Sequence, residues 1–173
     1  MSPEWVQMMA RYNGWQNFSH YAAAKGLSDA ERRADRGAFF GSIHRTLSHL
    51  LWADQIWMSR FDDGAPPECP ISQSADMVKD WEMLCHDQAV MDQRILTWAE
   101  GVKPEALSGE MTWYSGAMDA DVTRSRMLVF THFFNHMTHH RGQIHAMLTA
   151  AGAKPDDTDL FFMPDNPPMM APG

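Results

Sequence analysis

A chain of 173 residues, 45% apolar and 21% charged, is long enough for one domain with a sizeable core and too balanced to be disordered. Its formal net charge of −8 excludes the broad basic face that nucleic acid requires. Its two cysteines, Cys69 and Cys85, form no C-x-x-C pair and read as inert thiols, which leaves any metal to nitrogen and oxygen ligands.

The first predicted element is a helix over residues 3–25. Pro3 suits an early helical position, Gly26 can end the helix, and Trp5, Met8, Met9, Tyr12, Trp15 and Phe18 recur at helical steps. A charged connector, residues 28–36, leads to a second helix over residues 39–61. Residues 62–70 are rich in Asp, Gly and Pro and read as a loop. A third helix is expected over residues 75–100, stopped by Gly101 and Pro104. The segment 110–114 is strand-like, Ser115-Gly116 is turn-like, and residues 119–123 can return, so a small β-hairpin is expected before the last helix. That helix spans residues 123–151 and closes at Gly152 and Pro155.

These elements predict an all-α four-helix bundle in residues 1–153. An irregular tail follows in residues 154–173, with five prolines; Leu160, Phe161 and Phe162 are its expected ties to the bundle. The loop after the second helix is long enough that the topology need not be simple up-down-up-down. No stretch reaches the ~18 apolar residues that cross a bilayer, and residues 1–12 lack the marks of a signal peptide. A cytoplasmic protein without membrane or nucleic-acid partners is the expectation.

The nine histidines are unevenly spread, and five of them fall between Thr131 and His145. At 100° per residue, His136 and His140 lie about 40° apart around the last helix and about 6 Å apart along it. Their imidazoles can converge on one ion, and that stripe borders an apolar surface where two unpaired imidazoles would be costly. The pair alone fits two ordinary hydrogen-bonded histidines equally well. In the second helix His49 shares a face with Ser42, Thr46, Ala53 and Ile56 and should point inward. His44 and Asp54 each lie about 140° around the helix from His49 and should face away, Asp54 toward a surface or dimer contact. His145 falls on the side of its helix opposite the metal stripe.

Three segments carry a resemblance. Arg11-Tyr12-Asn13-Gly14-Trp15 lies in the first helix. Thr46-Leu47-Ser48-His49-Leu50-Leu51-Trp52-Ala53-Asp54, followed by Trp57, lies in the second. Asn135-His136-Met137-Thr138-His139-His140-Arg141-Gly142-Gln143 lies in the last. In this order they resemble the DinB-like family of small four-helix candidate metalloenzymes, a damage-inducible family distinct from the DNA polymerase that shares its name. The resemblance implies a four-helix bundle with a crossover connection, often a homodimer. It implies a divalent ion such as zinc or nickel on His49, His136 and His140. It also implies kinship with transferases and isomerases that use a low-molecular-weight thiol.

Three protein ligands leave a coordination position free, as catalytic sites do. A thiol-transferase or hydrolase is therefore expected; the alternatives are a metal-binding stress or sensor protein without turnover and a dimer that its metal only braces. A zincin peptidase does not fit, because Met137 stands where that motif places its glutamate base. His132, His139 and Tyr12 are candidate bases, none of them assigned, and Gln143 is a candidate lining residue.

Overall fold

The computed structural model describes residues 1–172. Five α-helices form: α1 (Pro3–Lys25), α2 (Asp29–Arg33), α3 (Ile43–Phe61), α4 (Trp81–Gly101) and α5 (Arg126–Ala150). A hairpin of β1 (Glu110–Ser115) and β2 (Ala120–Ser125) precedes α5. The start of each long helix is set by a side-chain cap. Ser42, Asp80 and Ser125 accept hydrogen bonds from the backbone N–H of Arg45, Met83 and Leu128. These caps place the starts of α3, α4 and α5 later than the apolar periodicity suggests. Residues 39–41 form a tight turn instead of helix, with Gly37 and Gly41 at φ +74° and +81°. Residues 71–76 form a separate 3-10 turn. The charged connector carries α2, begun by a capping box of Ser28 and Glu31. α5 ends in a Schellman motif: Gly152 takes φ +81° and the Ala153 N–H reaches the Leu148 carbonyl at 3.0 Å.

α1 packs on α4 and α5, and α3 packs on the same two helices. The order around the bundle is thus α1, α4, α3, α5. The connections from α1 to α3 and from α4 to α5 both cross the diagonal. Between the helices lies an apolar core in which Leu47, Leu51, Leu84, Ile95, Phe130, Phe133, Phe134 and Leu148 are buried. In the hairpin, Glu110 pairs with Ser125 and Ser115 with Ala120. Met111 and Val122 face inward, while Trp113 meets Trp57 of α3 edge-on at 5.4 Å.

Among the described residues no helix is long and apolar enough to cross a membrane. The tail is tied down, but not by the residues expected. Phe161 is 78% exposed, and Leu160 and Phe162 are also exposed. The chain is held instead by its backbone, along one face of α1. Tyr12 Oη donates to the Thr158 carbonyl at 2.6 Å, Gln16 Nε2 donates to that of Asp157 at 3.0 Å, and the Asp156 N–H donates to Ser19 Oγ at 2.7 Å. Met169 seats against Gly14, where an added Cβ would come within 2.5 Å of the sulfur. Hydropathy cannot foresee anchors that are carbonyl groups.

Asp54 is a second correction. It is 2% exposed, because the side of α3 opposite His49 is the side that meets α4. Gln88 Nε2 donates to both Asp54 Oδ2 at 3.2 Å and Asp92 Oδ1 at 3.0 Å, and Asn17 Nδ2 donates to Asp92 Oδ1 at 2.7 Å. Arg141 of α5, also buried, bonds Asn13 Oδ1 and attracts both carboxylates. Every long helix therefore contributes to one buried polar layer. Burial pushes the Asp54 carboxyl up to about 8, with Asp92 adding to the shift, and pushes Asp92 up to about 7.

Both carboxyls bind protons more tightly in the folded chain than in the unfolded one. The stability they support is complete below the ordinary aspartate range and is lost as pH rises through about 7 and 8. Above the range in which the buried neutral histidines add stability as pH rises, denaturant unfolding should therefore show stability falling from about pH 7.5 to pH 9. Asp54→Asn should flatten that slope and gain on the order of 1 kcal/mol at the alkaline end. A wild-type profile that rises over this range would contradict the account.

Candidate metal centre

α3 and α5 are neighbours, so the inward stripe of each meets the other. His49, His136 and His140 bring one ligand atom each to within 4.8 Å of one another, and no cysteine or carboxylate among the described residues joins that group. The ring centroids lie 5.4 Å (His49 to His136), 4.8 Å (His49 to His140) and 4.5 Å (His136 to His140) apart. The Nε2 atoms of His136 and His140 are 3.2 Å apart. Two nitrogens each ~2.1 Å from a tetrahedral ion lie roughly 3.4 Å apart, so the pair fits a shared ion with almost no movement.

An imidazole offers its lone pair in the right direction only if its other nitrogen is committed. His49 Nδ1 lies 2.8 Å from Ser74 Oγ, and His140 Nδ1 lies 2.8 Å from Gln143 Oε1. With Nδ1 donating in both, each Nε2 is left as an acceptor. Gln143 Nε2 in turn donates to His139 Nε2 at 3.2 Å. Gln143 thus orients a ligand, and His139 is its exposed partner.

The surroundings keep these rings neutral. Burial holds His136 down to about 3, with His140 and His49 adding to the shift, and burial with His140 holds His49 down to about 4. His140 is lowered too, by burial above all. Phe40 stacks on His49 with centroids 4.0 Å apart, placed there by the tight turn between Gly37 and Gly41. Trp52 lies parallel to His49 at 6.2 Å. His132, one turn before His136, has its ring 5.6 Å from that of His136 and 5.3 Å from that of Trp57. Tyr12 donates its hydroxyl to the tail. His145 lies on the α1 side of α5, its ring 5.6 Å from that of His20.

His44 corrects the helical-wheel reading. It is 2% exposed, with Nε2 donating to the Val78 carbonyl at 2.8 Å. The wheel rightly turned it from His49 but could not show that residues 69–78 cover that side of α3. Those residues are strapped down along the helix. Ser48 Oγ donates to the Ser74 carbonyl at 3.0 Å and accepts from the Val78 N–H at 3.1 Å. Arg45 pairs with Asp76 at 2.6 Å, and Trp52 Nε1 donates to the Cys69 carbonyl at 2.8 Å. Ser74, in contact with His49, is the residue of this cluster that the sequence does not announce; a serine in a polar connector carries no signal of its own. A hollow of about 620 Å³ lies between this segment and α4, lined by Cys69, Gln73, Met77, Met83 and Arg94 and not by the histidines.

A family model described as DinB family matches residues 1–169. Among curated proteins a sequence search finds no significant match.

His44→Ala leaves the Val78 carbonyl unpaired inside the protein, so it should cost about 1–3 kcal/mol in urea denaturation. Metal stoichiometry at saturation should not change, because the His44 ring is turned to residue 78. Loss of the ion from that variant would place His44 in the site and overturn this assignment.

Proposed function

The chain belongs to the DinB family, and on that premise we propose that it is a metal-dependent enzyme holding zinc or nickel on His49, His136 and His140. The observation that carries this reading is the convergence of three neutral imidazoles with no carboxylate or thiolate among the described residues to close the set. Closed structural sites recruit a fourth protein ligand; this group leaves a position for water or a small ligand. A divalent ion held there supplies a water of lowered pKa or binds a low-molecular-weight thiol as thiolate, which is the chemistry of a hydrolase or thiol transferase.

The chain's own part is to bind, orient and shield. Ser74 and Gln143 hold the tautomers of His49 and His140. Phe40 covers one ring of the site and limits water at it. Tyr12 and His139 have other partners. That leaves His132, beside His136 and with its pKa lowered by burial, as the side chain we assign to accept a proton from a bound nucleophile.

We also assign the outer face of α5 to a second copy of the chain, as a homodimer. Leu128, Thr131, Asn135, Thr138, Gly142 and Ala146 are exposed along it. Arg126 and the buried Arg141 are the charged residues of that helix. Two copies of net charge −8 repel over most of their surface, and a neutral strip is where they can meet. Leu128→Glu should convert a dimer to a monomer in analytical ultracentrifugation. A wild-type monomer at every concentration would remove the assignment.

Elemental analysis should find one ion per chain, and alanine at His49, His136 or His140 should weaken metal binding by roughly tenfold or more. With cobalt in the site, an added thiol should change the visible spectrum, since it enters the open position. A spectrum indifferent to thiols and small anions would favour a bracing metal and end the enzyme reading.

A further inference from the structure

We infer that residues 69–78 are a metal-linked clasp, in which Ser74 is a positioning residue for His49 and docking of the segment and binding of the ion reinforce each other. The inference rests on the metal reading above and deepens it. The segment has little regular structure of its own beyond the turn Ile71–Asp76, and its buried side chains are few: Ser74, Ala75 and Val78. It is held to α3 by polar contacts at His44, Arg45, Ser48, His49 and Trp52, a set spaced to run along one side of the helix. Four of those contacts serve only the strap. The fifth, His49 Nδ1 to Ser74 Oγ at 2.8 Å, joins the strap to a ligand.

The direction of that bond makes the coupling. While Ser74 Oγ accepts from Nδ1–H, His49 is fixed in the tautomer whose Nε2 lone pair faces His136 and His140. If the segment lifts, the ring loses both its partner and its fixed orientation, and metal affinity falls. Linkage requires the reverse with the same factor: an ion on Nε2 makes Nδ1–H a stronger donor and holds Ser74, and with it the segment, against α3. Ser74 is 1% exposed, so no solvent molecule at the surface substitutes freely for it.

The test compares zinc affinity, by competition with a chromophoric chelator, in the full-length chain and in three variants. Ser74→Ala should raise the dissociation constant roughly tenfold or more, and Ser74→Thr, which keeps the hydroxyl, should restore it to within about threefold. Ser48→Ala loosens the strap without touching His49, and it should also weaken zinc binding. Hydrogen exchange supplies a readout independent of any variant's folding. Zinc should slow exchange at the Gln73, Met77 and Val78 amides of the wild-type chain, and should slow it less in Ser74→Ala. Wild-type affinity in Ser74→Ala, wild-type affinity in Ser48→Ala, or no zinc-dependent protection in the wild-type segment would each overturn the clasp while the metal reading stands. A wild-type chain that binds no zinc or nickel would overturn the metal reading itself and the clasp with it.

Discussion

The second nitrogen of His49 and of His140 is the constraint on which this site depends. Three histidines brought together by two helices are only a cluster until their other nitrogens are spoken for, because a free imidazole rotates and changes tautomer. Here His49 is answered from a connector some 25 residues further along the chain, and His140 from a residue one turn further on its own helix. The need for that connector explains why α3 is buried on all sides between Thr46 and Asp54: α4 and α5 cover part of it and the strap covers the rest.

The buried polar layer at the opposite side of α3 has the same logic with a different outcome. Asp54, Asp92, Gln88, Asn13, Asn17 and Arg141 satisfy one another only in part, and Asp54 Oδ1, Asp92 Oδ2 and Asn13 Nδ2 have no protein partner among the described residues. Such a layer costs stability that an apolar core would keep. Arg141 immediately follows His140, so the helix that presents two of the imidazoles is also fixed in rotation by this layer.

The long helices, the hairpin and the His136–His140 pair are legible because each leaves a periodic or local signature, while His49 joins that pair through the family resemblance. Apolar steps mark α1, the i, i+4 spacing marks His136 and His140, and strand-like residues flank Ser115-Gly116. Inward and outward faces are legible only in part, because each long helix packs on two others. A wheel turns His49 inward and turns His44 and Asp54 away from it, but it shows direction and not what waits there. The strap and the tail escaped for a related reason. Both dock through carbonyls and short hydroxyls, so Ser74 and the backbone of residues 156–158 leave no mark in hydropathy, while Leu160, Phe161 and Phe162, which do, remain outside. Helix starts were misplaced by a few residues because the caps Ser42, Asp80 and Ser125, not the apolar pattern, decide them.

The order of helices around the bundle sets how the chain must assemble. Of the packed pairs of long helices, α3 with α4 is the one that is consecutive in sequence; α1 waits for α4 and α5, and α3 waits for α5. Contacts that distant close large loops before they gain anything, which slows folding relative to a simple up-and-down bundle of equal size. During synthesis α1 emerges before α2 and α3 and stays without its α4 and α5 partners while they are made, its Trp5, Trp15 and Tyr21 exposed to neighbouring chains. Nor do the three histidines meet early, because His49 and His136 are brought together only when α5 docks. The centre is the last thing the fold completes.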